Sequence, residues 1–273
     1  MPGLPKARIV GLAKASHFGP SLLVTALSYF FAQLYWQPGS ALIIALGFFS
    51  GQLIVGWSND LIDYADDLSH QRMNKPLVAG LITRKYLQSW LAVMIPVALV
   101  INLFGPLGFV GGGLSIFAIL WALGYNFYFK FNIFSPLPYA VAFAILPSCM
   151  AYSQEKVPPT WMWLGGAFFG MAAHFLNVLK DMDQDHASGI KGLPQRCGKN
   201  GSIIAAATLI ALATRMRISS TLRMRWEERT RLSRPIEPVA TKSGAGADTT
   251  SPHLQERQPG LAPRRKWQKE CRS

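Results

Sequence analysis

The stretch NDLIDYADDLSHQRMNKPLVAG, residues 59–80, follows directly on a long apolar run and places four aspartates within nine positions. If the preceding helix continues through it, Asn59, Asp63 and Asp67 stand at i, i+4 and i+8 and share one face. Carboxylates are scarce elsewhere. Of the eight acidic residues in positions 1–214, seven fall in two clusters, Asp60, Asp63, Asp66, Asp67 and Asp181, Asp183, Asp185. Only Glu155 stands apart. Like charges this close repel one another, so the clusters make sense around something cationic. Such hard oxygen donors suit Mg²⁺, which uses a few carboxylates and completes its shell with water and phosphate oxygens.

The surroundings of the motif are those of a membrane protein. Half of the 273 residues are hydrophobic and only 15% are charged, against about 25% in soluble domains. A bilayer core of about 30 Å needs roughly 20 apolar residues per helix. The sequence predicts spans over Ser21–Trp36, Ala41–Trp57, Tyr86–Phe104, Phe109–Phe129, Pro138–Tyr152 and Trp161–Leu179, with a partial seventh from Ser202 to Thr214. The fold class is thus an all-α integral membrane bundle of six complete spans and part of another. No cleavable signal peptide is evident.

With alternating spans, the N-terminus and the loops after spans two, four and six share a side. They carry Lys6, Arg8, Lys14, Arg72, Lys75, Arg84, Lys85, Lys130, Lys180, Lys191, Arg196 and Lys199, while the other side carries only Lys156. By the positive-inside rule, these loops, both Asp-rich ones included, are expected on the cytoplasmic side of a multi-pass protein of the plasma membrane. Each cluster sits at the cytoplasmic end of an even-numbered span. Asp181 and Asp185 repeat the i, i+4 relation at the end of the sixth, with Asn177 and His174 one and two turns earlier. Carboxylates beside Arg and Lys are the arrangement expected for a diphosphate, whose oxygens bridge metal and guanidinium. Arg72 and Lys130 are the strongest candidates for that contact. Asp66 lies off the shared face and is expected to be expendable. Tyr125, Phe127 and Tyr128 could offer ring faces to a cation, or anchor the chain at the interface, and His174 is expected to bond between helices.

Composition changes after Thr214. Residues 215–273 hold 14 of the 27 Lys and Arg, a net charge of +8, and only Trp226 and Trp267 as aromatics. Such a segment cannot bury enough apolar surface to offset its entropy. The expectation is a transmembrane domain over 1–214 and a basic, disordered tail over 215–273, apart from a helix over Ile218–Arg231. No nucleic-acid fold signature accompanies the basic tail, so no specific nucleic-acid partner is expected. Because the change falls inside an apolar run, a truncation or frameshift in place of further membrane helices is the expected origin. Cys149, Cys197 and Cys271 show no metal or disulfide spacing.

NDLIDYADD fits the pattern N-D-x-x-D-x-x-x-D as Asn59, Asp60, Asp63 and Asp67, NKPLVAG fits the segment after it, and KDMDQDHASGIKGLPQRCG fits a second D-x-x-x-D as Asp181 and Asp185. The pair resembles the UbiA-type intramembrane aromatic prenyltransferases over roughly residues 14–214. The resemblance implies a helical bundle around a central cavity, with nine spans usual in the family. It implies Mg²⁺ as cofactor, a polyprenyl diphosphate as donor and an aromatic or other lipophilic acceptor within membrane lipid. The metal ligands it implies are Asn59, Asp60, Asp63, Asp67, Asp181 and Asp185, with Asp63, Asp67, Asp181 and Asp185 as the catalytic set. Substrate binding would fall to Arg72, Lys130, Asn59, Lys180 and Tyr125. The alternatives are an inactive remnant of such an enzyme and a cation-coupled transporter. Transport acids typically lie near the bilayer midplane rather than at its margin beside Arg and Lys.

Overall fold

A computed structural model describes residues 5–232. Every regular element among them is helical: α1 (Pro5–Ala15), α2 (Phe18–Ala32), α3 (Pro38–Ser69), α4 (Arg84–Phe104), α5 (Gly108–Phe127), α6 (Leu137–Tyr152), α7 (Thr160–Leu179), α8 (Met182–Ala187) and α9 (Leu193–Leu232), with a short 3₁₀ turn at Phe129–Phe131. Five of these, α3, α4, α5, α7 and α9, are long and apolar enough to cross a membrane, while α2 and α6 are apolar but shorter. The expected spans fall on α2 to α7 in order. The seventh, Ser202–Thr214, lies inside α9, which runs on to Leu232. The composition change at 214 is therefore not a helix end. The rest of the expected tail, 233–273, lies outside the described residues.

Local chemistry explains the helix boundaries. Pro38 opens α3, where a missing N–H costs nothing. The Thr83 hydroxyl caps α4 by accepting from the Tyr86 N–H at 3.2 Å. Gly198, at φ 69°, breaks α9 near its start, a backbone that favours glycine.

Small residues set how closely the helices approach. Gly112 of α5 lies against the backbone of α4 at Asn102, and its neighbour Gly111 against that of α6 at Cys149. Gly166 and Gly170, one turn apart on α7, meet the carbonyls of Phe143 and Tyr139 on α6. This is small-xxx-small packing, which suits helices that gain no hydrophobic drive from lipid. Two buried amides tie α3 to its neighbours. Asn102 Nδ2 donates to Ala98 O at 2.8 Å and Gly47 O at 3.4 Å, and Asn126 Nδ2 donates to Val55 O at 2.9 Å.

The apolar core lies in two main groups. Ile44 and Phe48 of α3 pack with Leu146, Cys149 and Met150 of α6. At the end carrying the first aspartate cluster, Trp57, Leu77, Ile82 and Leu87 pack together, and Trp57 Nε1 donates to Leu12 O of α1 at 3.1 Å. Phe30, Val100, Phe109, Val110 and Leu120 stay exposed, as side chains facing lipid would. The fold is a multi-span membrane bundle, and the chain is an integral membrane protein.

Candidate diphosphate site

Helix α3 continues unbroken through the first motif to Ser69, so Asn59, Asp63 and Asp67 share a face as their spacing predicts. The second motif is built differently. Helix α7 ends at Leu179, and Asp181 becomes the residue before the separate short helix α8, whose first turn carries Asp185. The i, i+4 relation survives because Asp185 N–H donates to Asp181 O at 2.9 Å, but on a new axis rather than as an extension of the sixth span.

Each buried acid of the first motif meets a cation. Asp60 and Asp67 are almost wholly buried. Lys75 Nζ lies 3.0 Å from Asp60 and 3.9 Å from Asp67. Arg72 Nη1 lies 2.6 Å from Asp67 and 3.2 Å from Asp66. Lys130, held in the turn after α5 and itself buried, pairs with Asp63. His17, before α2, brings Nε2 to 3.8 Å from Asp60. Burial works against the Lys75 charge, but the Asp60, Asp67 and Asp63 carboxylates outweigh it and hold its pKa above the usual lysine value.

The second motif reaches this cluster through Arg72, whose Nη2 donates to Gln184 O at 3.3 Å and to the Ser188 hydroxyl. Asp185 accepts from Gln195 Nε2 at 2.7 Å. Burial above all raises the Asp185 pKa, with Asp181 adding to the rise while the Gln195 hydrogen bond, Arg72 and Lys130 oppose it. Asp181 is exposed, and Asp183 pairs at the surface with Lys199 at 2.9 Å. Lys180 makes no ion pair among the described residues, and Asn59 no side-chain hydrogen bond.

Ser135 joins three segments beneath the acids. Its hydroxyl meets His174 Nε2 at 3.1 Å and accepts from Leu193 N–H at 3.0 Å, so His174 bonds to the turn before α6 rather than to a neighbouring helix. A Cβ on Gly192 would lie 2.9 Å from Ser135 Oγ and 3.0 Å from Lys130 O. The loop that carries Lys130 and the Gly192 loop that leads into α9 are thereby clasped together. Tyr125 packs edge-on to Tyr139 and His174, with centroids 5.4 Å away in each case.

The sequence pattern left Ser135, His17, Ser188 and Gln195 unremarked and did not separate Lys75 from the other basic residues. Only Ser188 carried a signal, as the first half of a Ser-Gly turn. Asp66, off the shared face, contacts Arg72, His70 and Ser188.

Among the described residues, no three His, Cys, Asp or Glu side chains close to metal-binding range. Mg²⁺ does not require such a cage, since it commonly takes one or two carboxylates plus substrate phosphates. The donor set is all oxygen, and Asp60 Oδ2 is buried with no hydrogen-bond partner, the kind of atom a cation would satisfy. The residues therefore fit the ion.

Comparison with known proteins bears on the same bundle. A solved structure of digeranylgeranylglyceryl phosphate synthase in membranes matches with a TM-score of 0.56 at 16% identity, covering 79% of this chain and 78% of that one. At that identity the likeness speaks for the fold. No curated protein matches the sequence. The model of the UbiA prenyltransferase family matches residues 21–226, which takes in α3, the loop with Arg72 and Lys75, the Lys130 turn and α8. The chain belongs to the UbiA prenyltransferase family.

Proposed function

We propose that the chain transfers a polyprenyl group from a polyprenyl diphosphate to an aromatic or other lipophilic acceptor within the membrane, in an Mg²⁺-dependent reaction. The observation that carries this is Arg72, which pairs with Asp67 of the first aspartate motif and donates to Gln184 and Ser188 beside the second. That contact brings together two acid clusters more than a hundred residues apart. A site rich in both carboxylates and cations at one end of the bundle suits a diphosphate better than a transported ion, which would be held nearer mid-membrane.

Asn59, Asp60, Asp63, Asp67, Asp181 and Asp185 are the proposed metal ligands. When bound, Mg²⁺ neutralises the donor's phosphate charge and makes diphosphate a better leaving group. Arg72 and Lys130 sit against the acids where they can take up charge that grows on the leaving oxygens as the allylic C–O bond breaks. Tyr125, packed against Tyr139 and His174, is proposed to offer its ring to the transient carbocation. The acceptor then forms the new bond to the allylic carbon and gives up a proton. Lys180 and Asp181, both exposed, are proposed to engage only when substrate is present. The basic loops support a cytoplasmic-facing site at the plasma membrane.

The test is direct. Membranes containing the protein and a radiolabelled polyprenyl diphosphate are expected to release diphosphate with Mg²⁺ present. Chelation with EDTA should reduce release to background, and added Mg²⁺ should restore it. Release that is indifferent to EDTA removes the metal from the proposal. No release under any condition removes the transferase reading for this chain.

A further inference from the structure

Asp66 and Ser188 stand outside the aspartate motifs, yet they complete the link between them. The Ser188 hydroxyl donates to Asp66 Oδ2 at 2.8 Å and accepts from Arg72 Nη2. Arg72 Nη1 meanwhile lies between Asp67 Oδ1 at 2.6 Å and Asp66 Oδ2 at 3.2 Å. The guanidinium is thus held from two sides, by α3 through Asp66 and Asp67 and by the end of α8 through Ser188 and Gln184. Backbone geometry delivers Ser188 to this place. Its N–H closes α8 on Gln184 O at 3.0 Å, and Gly189 turns the chain away at φ 69°. The hydroxyl is left to face α3.

Arginine's planar fork gives strong, directional bonds when its donors are aligned, and little when the side chain must be ordered at the moment of binding. We infer that Asp66 and Ser188 are positioning residues, which fix the Arg72 guanidinium and seat α8 on α3 so that the diphosphate site is assembled before the donor arrives. The inference rests on the proposed role of Arg72 toward diphosphate. Neither residue is expected to touch the reacting atoms.

The test measures binding of inorganic diphosphate with Mg²⁺ to detergent-solubilised protein, alongside KM and kcat for a polyprenyl diphosphate. Ser188→Ala and Asp66→Ala are each expected to weaken diphosphate binding by about tenfold, the scale of a hydrogen bond to a charged group. Donor KM should rise in step and kcat should change less. The double variant should bind no more than about twofold worse than either single, because the two residues act as one unit. Ser188→Thr, which keeps the hydroxyl, should recover binding to within about twofold of the parent. His70→Ala removes the other Asp66 contact, at 3.3 Å, and should leave binding unchanged. Binding as tight as the parent's in both alanine variants overturns the inference, and so do fully additive losses. Failure of the parent to bind diphosphate at all overturns it together with the proposed function. A parent that binds diphosphate but never releases it from the donor leaves the positioning role standing and removes the transferase reading.

Discussion

Asp63→Ala is expected to lower diphosphate release by on the order of a thousandfold, the scale of losing a preorganised electrostatic contact at a charge-developing site. Two effects converge on this residue. Asp63 occupies a motif position on α3, half-buried, and it is the anionic partner of Lys130, whose side chain is only 6% exposed. Removing one member of a buried pair leaves an uncompensated charge, which costs roughly 3–5 kcal/mol. The alanine variant should therefore also melt at a lower temperature in detergent. Asp63→Asn separates the effects, since it keeps the shape and an acceptor for Lys130 but loses the charge. Its melting should fall less while its release falls as far. Full release by Asp63→Asn would show that the carboxylate is not needed and would remove Asp63 from the catalytic set.

Gly112→Leu should disrupt the bundle far from any chemistry. A Cβ at this position would lie 2.0 Å from the carbonyl oxygen of Asn102 and 3.1 Å from Cα of Leu103, both backbone atoms that cannot turn aside. Helices α4 and α5 would have to separate. The amide bond from Asn102 to Gly47, which holds α4 on α3, would go with them. A loss of at least about 3 kcal/mol is expected, seen as a melting temperature lower by on the order of 10 °C or as aggregation on size-exclusion chromatography. The adjacent Gly113 has nothing within 4 Å of an added Cβ. Gly113→Leu should accordingly behave like the parent, and equal damage at both positions would contradict the packing described.

The helices were legible because a run of about twenty apolar residues matches the thickness of a bilayer and little else in a protein needs one. So was the continuation of α3 through NDLIDYADD, where Leu61 and Tyr64 supply apolar contacts that keep the helix packed past the acids. The end of α7 was not legible. Nothing in KDMDQD marks whether the helix persists, and the break shows only where the chain turns to seat α8. The expected helix over Ile218–Arg231 lies within α9, but its continuity with the apolar run before Thr214 was not legible in the change of composition. Residues 215–232 are polar but rich in Arg, Met, Leu and Glu, which favour helix whatever their solvent. At the site, charge spacing revealed the two motifs and picked out Arg72 and Lys130 as candidates beside them. Ser135, Ser188 and Gln195 are ordinary polar residues that acquire a role only through partners distant in the chain. The contact of Asp66 with Ser188 was hidden for the same reason, because it spans 122 positions.

The Ser135 junction bears on the order in which the protein is made. Its bond to Leu193 spans 58 residues, Lys130 to Asp63 spans 67, and Arg72 to Gln184 spans 112. Synthesis from the N-terminus delivers α3 with Arg72 and Lys75 close behind its aspartates, but long before Lys130 and the segments that clasp the site. Until Lys130 is made, Asp63 lacks its partner, and until Leu193 follows, the clasp beneath the acids stays open. A nascent chain halted before α8 would hold most of the bundle and half of the site. Translation thus lays down most of the scaffold before the site can close.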